Sequence, residues 1–346
     1  MSILTVHHST VYRYHEPVGL GEHRMMFRPR ESHDLRLLRT KLAIAPKPAH
    51  LRWLHDPFDN SVAIALFEGT TSELRFESTV TLEHFETSVP EYPLEDYART
   101  YPFRYSDEDF PNLERALAHH YPSAGVSKWA LQFLDPAQTT GTMKILRSMT
   151  RGIREEFLYT RRIEKGVHSP EETLRHQQGS CRDFAVLMME ASRSLGIAAR
   201  FVSGYIFVPN RSGLAGGGAT PAGGASHAGG ATHAGGATHA GGATHAGGAT
   251  HAGGATHAGG ATHAGGATHA GGATHAWMQA YLPGAGWIDF DPTNGIVGNR
   301  NLIRVGVAWS PEHVLPLWGT YKGPAAAFLG MDITVNVTES SGEDHA

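Results

Sequence analysis

The stretch Gly179-Ser180-Cys181-Arg182-Asp183-Phe184-Ala185-Val186-Leu187-Met188-Met189-Glu190-Ala191-Ser192-Arg193-Ser194-Leu195 holds the one cysteine of the chain and runs from it into a strongly apolar helical pattern. Gly196 supplies a stop signal for that helix. The thiol therefore stands at or near a helix N-terminus, where unpaired N–H groups and the positive end of the helix dipole favour a thiolate. A buried structural cysteine is the competing reading, because free cysteine is among the most buried residue types.

The flanking sequence gives the element order. Thr140 to Phe157 places apolar residues at helical spacing, and Ser169-Pro170-Glu171-Glu172 reads as a helix start with Ser as cap and Pro at the first helical position. Ile197 to Val208 reads as a strand. Ala276 to Leu282 and Trp287 to Phe290 form a strand pair across Pro283-Gly284-Ala285-Gly286, and the apolar runs Leu302 to Trp309 and Met331 to Val337 are expected to extend the same sheet. Helices come first and strands after, the order of an α+β domain.

A cysteine nucleophile needs an imidazole within hydrogen-bond reach, and the imidazole needs a third group to fix its tautomer. His275 passes directly into the apolar strand at Ala276-Trp277, so it is the histidine that the fold would hold in place. Asp291 follows it by 16 residues, a separation that one hairpin closes. Asp289 has the same alternation parity and is its rival. Either could equally be a turn acid ahead of Pro292.

The first part of the chain reads as strands. Leu4 to Tyr14 and Leu37 to Ile44 alternate in part, Leu51 to Phe67 is split by the turn-type cluster Asp56-Pro57-Phe58-Asp59-Asn60, and Ser72 to Phe85 alternates more cleanly. The expected organisation is a β-sandwich over 1–88, a linker or helical connection over 89–139, and a catalytic core over 140–340. Into that core is set a low-complexity insertion over 214–273. There the hexapeptide Thr-His-Ala-Gly-Gly-Ala runs seven times from Thr232 to Ala273, after a near copy at Ser226. It offers no large apolar side chain, so it is expected to stay disordered. Its upstream imidazoles, His227, His233, His239, His245, His251, His257, His263 and His269, are weak candidates for transition-metal binding. Loop-closure entropy grows only logarithmically, so the 67 residues from Val208 to His275 cost roughly 1 kcal/mol more than a loop a quarter as long.

The 346 residues carry a net charge of -4, which offers no field for nucleic acid or anionic lipid, and no stretch approaches a membrane span. One cysteine excludes an intramolecular disulfide and a multi-cysteine metal site, and the opening Met1-Ser2-Ile3-Leu4 lacks the pattern of a secretory leader. A cytoplasmic protein without a cofactor is expected, acting on a protein or peptide. No acidic loop of the Asp-x-Asp-x-Asp-Gly type is present, so calcium dependence is not expected.

The segments 179–185, 195–205, His275-Ala276-Trp277 and Gly286-Trp287-Ile288-Asp289-Phe290-Asp291-Pro292-Thr293, in this order and spacing, resemble the bacterial transglutaminase-like core. Arg28-Pro29-Arg30 and Asp56-Pro57-Phe58-Asp59-Asn60 resemble the β-sandwich that precedes that core in a bacterial subfamily. The resemblance implies a papain-like fold with Cys181 as nucleophile, His275 as base and Asp291 as orienting acid, since the family acid lies four residues after the strand Trp, here Trp287. It implies cysteine-dependent acyl transfer through a thioester, ending in crosslinking by an amine or in amide hydrolysis by water. The backbone N–H of Cys181 is the natural first oxyanion donor. Gln177 and Gln178 are candidates for the second, or else solvated loop residues. Animal transglutaminases use an upstream Trp there, a role that cannot be assigned to Trp129. Asp183 reads as a first-turn acid on the helix dipole. The alternatives are a catalytically silent protein-binding module and a metal-responsive scaffold built on the histidine repeat.

Overall fold

Alternating residues of the first segment build one long strand, β1 (Ser2–Met25). The computed structural model describes residues 2–85, 91–160, 166–208, 254–259 and 272–340, with backbone alone at 254–259, 272 and 273. A strand of this length spans roughly 80 Å, too far for one flat ladder, and it breaks at His15-Glu16-Pro17, all exposed, where proline has no N–H to offer. The pairing register shifts there. Strands β2 (Leu35–Ala45), β3 (His50–His55), β4 (Ser61–Leu66) and β5 (Thr70–His84) follow. The first half of β1 lies beside β5, and its last residues, His23 to Met25, lie beside β4. The turn Asp56–Asn60 that separates β3 from β4 is closed by the Asp56 carboxylate, which accepts from the N–H groups of Phe58 and Asn60.

The middle of the chain supplies β6 (Thr100–Tyr101), α1 (Phe110–Leu117), α2 (Ala124–Leu131), β7 (Thr140–Gly141), α3 (Thr142–Glu156), β8 (Leu158–Tyr159), α4 (Pro170–His176), β9 (Gln178–Gly179) and α5 (Cys181–Ser194). Ser169 and Glu172 form the capping box expected at the start of α4, with Pro170 at its first position. After α5, Gly196 takes a φ of 70°, a left-handed conformation suited to glycine. The last part contains β10 (Ala199–Phe207), β11 (Gly254–Gly259), β12 (Gly272–Leu282), β13 (Gly286–Asp291), β14 (Ile296–Val297), β15 (Leu302–Ala308), β16 (Leu317–Lys322) and β17 (Phe328–Ser340).

A second sheet has the order β14-β13-β12-β10-β15, antiparallel throughout. The apolar face of α5, with Phe184, Leu187 and Met188 fully buried, packs against it in a core shared with Ile145, Met149, Met278 and Phe290. Mixed helix and strand around this sheet and a β-rich N-terminal region are the architecture expected from the sequence.

One expectation is corrected. Leu302 to Trp309 does extend the core sheet as β15, but Met331 to Val337 does not. It lies in β17, which pairs with the first half of β1, and β16 pairs with the second half. The chain end thus returns to the N-terminal sheet, because the flanks of β1 left open by β4 and β5 require partners. Of the low-complexity insertion over 214–273, Gly254–Gly259 is extended and paired with β16, and Gly272 opens β12. The rest of that segment lies outside the described residues.

The N-terminal region docks on the β10–β15 side of the core sheet. Leu4, Val6, Leu35, Val80 and Leu82 pack with Tyr205, Phe207, Ile303 and Val305. The Asn60 side chain donates to the Val307 carbonyl at 2.8 Å and accepts from its N–H at 2.9 Å, so it serves β15 as a strand partner would. No helix of the described residues is long and apolar enough to cross a membrane.

Candidate active site

Cys181 is the first residue of α5 and is half-buried. Two features hold the turn that presents it. The parallel pair β8–β9 fixes the approach, with the N–H groups of Leu158 and Thr160 donating to the carbonyls of Gln177 and Gly179 at 2.8 Å each. Asp183, fully buried, then accepts from Ser180 N and Ser180 Oγ at 2.8 Å and from the His168 N–H at 2.7 Å. A Cβ at position 179 would come within 2.8 Å of the Asp183 Cβ, so the close turn requires glycine there. Asp183 is a structural anchor as well as a first-turn acid. Asp183→Ala strips buried donors of their acceptor and is expected to cost about 1–3 kcal/mol, read as a lower urea midpoint at unchanged slope.

His275 projects from β12 opposite Gly204 of β10. A Cβ on Gly204 would meet the Ile303 carbonyl oxygen at 2.1 Å and the Trp277 ring at 2.8 Å, so glycine lets three strands close up behind the imidazole. The Nε2 of His275 lies 2.8 Å from Asp291 Oδ2. The imidazole is also hydrogen-bonded to the Cys181 side chain. The Asp291 carboxylate is fully buried and accepts from the Thr293 N–H at 2.9 Å, the Asn294 N–H at 3.3 Å and Asn294 Nδ2 at 2.7 Å. The three residues singled out from the sequence are therefore brought into one chain of contacts, Cys181 to His275 to Asp291.

Cross-strand register separates Asp291 from its rival. In the β12–β13 ladder Gln279 faces Asp289. Each acid reaches back along β12: Asp289 Oδ1 accepts from Gln279 Nε2 at 2.8 Å and from Trp277 Nε1 at 2.6 Å, whereas Asp291, two residues on, meets His275. Asp289 thus holds Trp277, whose ring stacks on the imidazole at 5.9 Å between centroids and 24° between planes. Burial raises the Asp289 pKa, against the opposing pull of Arg304.

Burial on its own would depress the His275 pKa, but the Asp291 carboxylate, its hydrogen bond and the contact with Cys181 together push it up to about 10. Asp291 shows the reciprocal effect: burial would raise it, and the imidazolium with the Asn294 and Thr293 hydrogen bonds brings it below the usual carboxylate range. The folded-state pKa of His275 lies above its unfolded value of about 6.5, so its stabilising contribution is complete below that pH and is lost as pH rises toward about 10. Melting temperature is expected to fall across this window, and His275→Gln is expected to flatten the fall, as followed by circular dichroism at successive pH values.

Other candidates fall elsewhere. Gln177 and Gln178 are exposed, and neither side chain hydrogen-bonds to Cys181 or His275 among the described residues. Gln177 instead adopts φ 47° as the left-handed cap of α4. Trp129 is a core residue, edge-on to Phe133 and Phe157. No group of three metal-ligating side chains occurs among the described residues. The repeat histidines lie outside them, except for the backbone of His257 in β11. Sequence reasoning missed Asn294, whose Nδ2 lies 3.3 Å from His275 Nε2 as well as on Asp291. Its place three residues after the acid, in Asp291-Pro292-Thr293-Asn294-Gly295, was the available signal.

The family model for the bacterial transglutaminase-like N-terminal region matches residues 4–83, and that for the transglutaminase-like superfamily matches residues 130–292. An uncharacterised protein of Mycobacterium leprae is 29% identical over 174 residues, which are 50% of this chain and 42% of that protein. One from Mycobacterium tuberculosis is 26% identical over 220 residues, 58% of this chain and 65% of that one. The chain thus spans less than two thirds of the length of these curated relatives. The crystal structure of a candidate cysteine protease from Cytophaga hutchinsonii superposes with a TM-score of 0.61 at 15% identity, covering 98% of this chain and 91% of the other, a likeness of fold. Two models matched in order along one chain, on a sheet and helix arranged as the resemblance implied, make this protein a member of the transglutaminase-like superfamily that carries the bacterial transglutaminase-like N-terminal region.

Proposed function

We propose that the protein is a cysteine-dependent acyl-transfer enzyme that acts on protein or peptide amides through a thioester at Cys181. The observation that carries the reading is the chain of contacts from Cys181, at the start of α5, through His275 to Asp291. The Cys181 thiolate attacks the amide carbonyl, and the tetrahedral oxyanion forms beside the Cys181 backbone N–H at the helix start. Imidazolium His275 protonates the departing amine as the C–N bond breaks, leaving thioester and neutral imidazole. An amine or a water then attacks the thioester, gives its proton to His275, and releases a new amide or an acid together with the Cys181 thiolate. Asp291 keeps the imidazole oriented throughout. Transfer and hydrolysis share every step up to the thioester, and the partition depends on how well the cleft seats an amine against water.

Intact mass after mixing with p-nitrophenyl acetate tests the reading. An acetyl adduct is expected on the wild-type chain and not on Cys181→Ala, and added cadaverine is expected to speed its loss if the enzyme is a transferase. An unmodified wild-type chain whose Cys181 still reacts with iodoacetamide would favour the binding-module reading.

A further inference from the structure

The N-terminal β region has a groove that the chemistry at Cys181 does not use. It lies where two sheet edges come side by side: among the described residues β2 pairs only with β5 and β3 only with β4. Residues from both edges line a cavity of about 270 Å³, with Leu42 on one side, Leu51 and Trp53 on the other, and Phe27 and Val80 at its floor. Trp53 and Leu51 are 48% and 44% exposed, unusual for large apolar residues two apart on one face of a strand. Single exposed apolar residues need no explanation, but a pair lining a cavity beside unpaired backbone does.

The charge here is one-sided. Residues 35–55 contain Arg36, Arg39, Lys41, Lys47 and Arg52 and no Asp or Glu, in a chain whose net charge is -4. Arg36 pairs with Glu83, while Arg39, Lys41 and Arg52 have no acidic partner among the described residues. Arg28 and Lys41 reach the cavity itself. Basic residues on edge strands guard against self-pairing of like chains, and the same residues attract a segment of opposite charge.

We infer that this groove docks an extended acidic polypeptide segment, which adds to β3 as a further strand. Strand addition satisfies the free N–H and C=O groups of the His50–His55 edge. Alternation then sets apolar side chains of the segment against Leu51 and Trp53 and acidic ones on the Arg52 face. Trp beside arginine would also suit a nucleic acid, but an aliphatic lining and unpaired strand backbone favour a peptide. The inference does not depend on the proposed acyl transfer.

The test uses the full chain carrying Cys181→Ala, so that no probe is consumed, and a fluorescein-labelled nonapeptide alternating Glu with Val and Leu, followed by anisotropy. Saturable binding is expected, weakened tenfold or more by Trp53→Ala and by Arg52→Glu. It should be abolished when alternate peptide nitrogens are methylated or when Lys replaces Glu. In an otherwise wild-type chain, Trp53→Ala should leave iodoacetamide alkylation of Cys181 unchanged, which establishes that the fold is intact. Equal binding of the methylated peptide, indifference to both substitutions, no binding at all, or displacement by oligothymidylate would each overturn the inference, the last by identifying a nucleic-acid surface.

Discussion

Alanine at His275 is expected to slow acetylation of Cys181 about 10²- to 10⁴-fold, the range that a positioned acid–base side chain contributes. In the proposed mechanism an amide uses the imidazole twice, to hold Cys181 as thiolate and to protonate the leaving amine, whereas p-nitrophenolate leaves without a proton, so acetylation reads the first of these roles. Asp291→Ala removes orientation and charge but leaves the imidazole in place, so a smaller loss is expected. Its distinctive result is in the pH profile. The carboxylate is the chief reason that His275 titrates at about 10 rather than near its ordinary value. Without it the imidazolium gives up its proton at lower pH, and the basic limb of the rate profile is expected to move down by several units. A general collapse of the fold would lower the rate at every pH without moving that limb. An unmoved limb in a folded Asp291→Ala chain would separate Asp291 from His275 in function, whatever their distance of 2.8 Å.

The parts of this site that could be read from the sequence are those encoded by short contiguous patterns. Cys181 announces itself by the turn before it and the apolar helix after it, and His275 by the strand it enters, whereas the hairpin offered Asp291 and Asp289 alike and only the family resemblance preferred Asp291. The elements Thr142–Glu156 and Cys181–Ser194 begin and end, and Pro170–His176 begins, within about two residues of their sequence signals, because caps, proline and glycine act locally. What depends on pairing between distant strands was not legible. That Asp289 holds Trp277 while Asp291 holds His275 follows from the β12–β13 register, and alternation parity gives both acids the same face. The return of Met331 to Val337 to β1 is a pairing across more than 300 residues, and an apolar strand does not say which open edge it will cover. Asn294 was missed for a related reason: a polar residue after a Pro-Thr turn reads as loop until its side chain is seen bridging acid and imidazole.

The far end of α5 carries the largest stability effect expected of a single side chain. Arg193 and Glu190 are both buried, with Arg193 NH1 donating to Glu190 Oε1 at 2.6 Å. Three more guanidinium protons go to backbone carbonyls of Ala116, Ala199 and Trp309, at 3.1, 3.0 and 2.8 Å. Glu190 in turn accepts from the N–H groups of His120 and Tyr121 at 3.4 and 3.3 Å. One ion pair thereby ties the helix that bears Cys181 to the end of α1, the start of β10 and the segment after β15. Burial lowers the pKa of Arg193 and Glu190 opposes that shift without cancelling it, so the pair must be kept whole. Arg193→Ala leaves the buried Glu190 carboxylate with only the half-exposed His119, 3.5 Å away, as a basic neighbour and takes a donor from three carbonyls, and is expected to cost about 3–5 kcal/mol. At this chain length that is a melting temperature lower by roughly 4–8 °C. The double variant Glu190→Met, Arg193→Met removes both charges and fills similar volume, so it is expected to recover a large part of the loss. Cys181 lies twelve residues along the helix, roughly 18 Å away, and its alkylation rate well below the transition should not change. A single variant that melts within a degree of wild type would mean that water or another group replaces the guanidinium, and that the contacts of α5 with its sheet and neighbouring helices carry its position unaided.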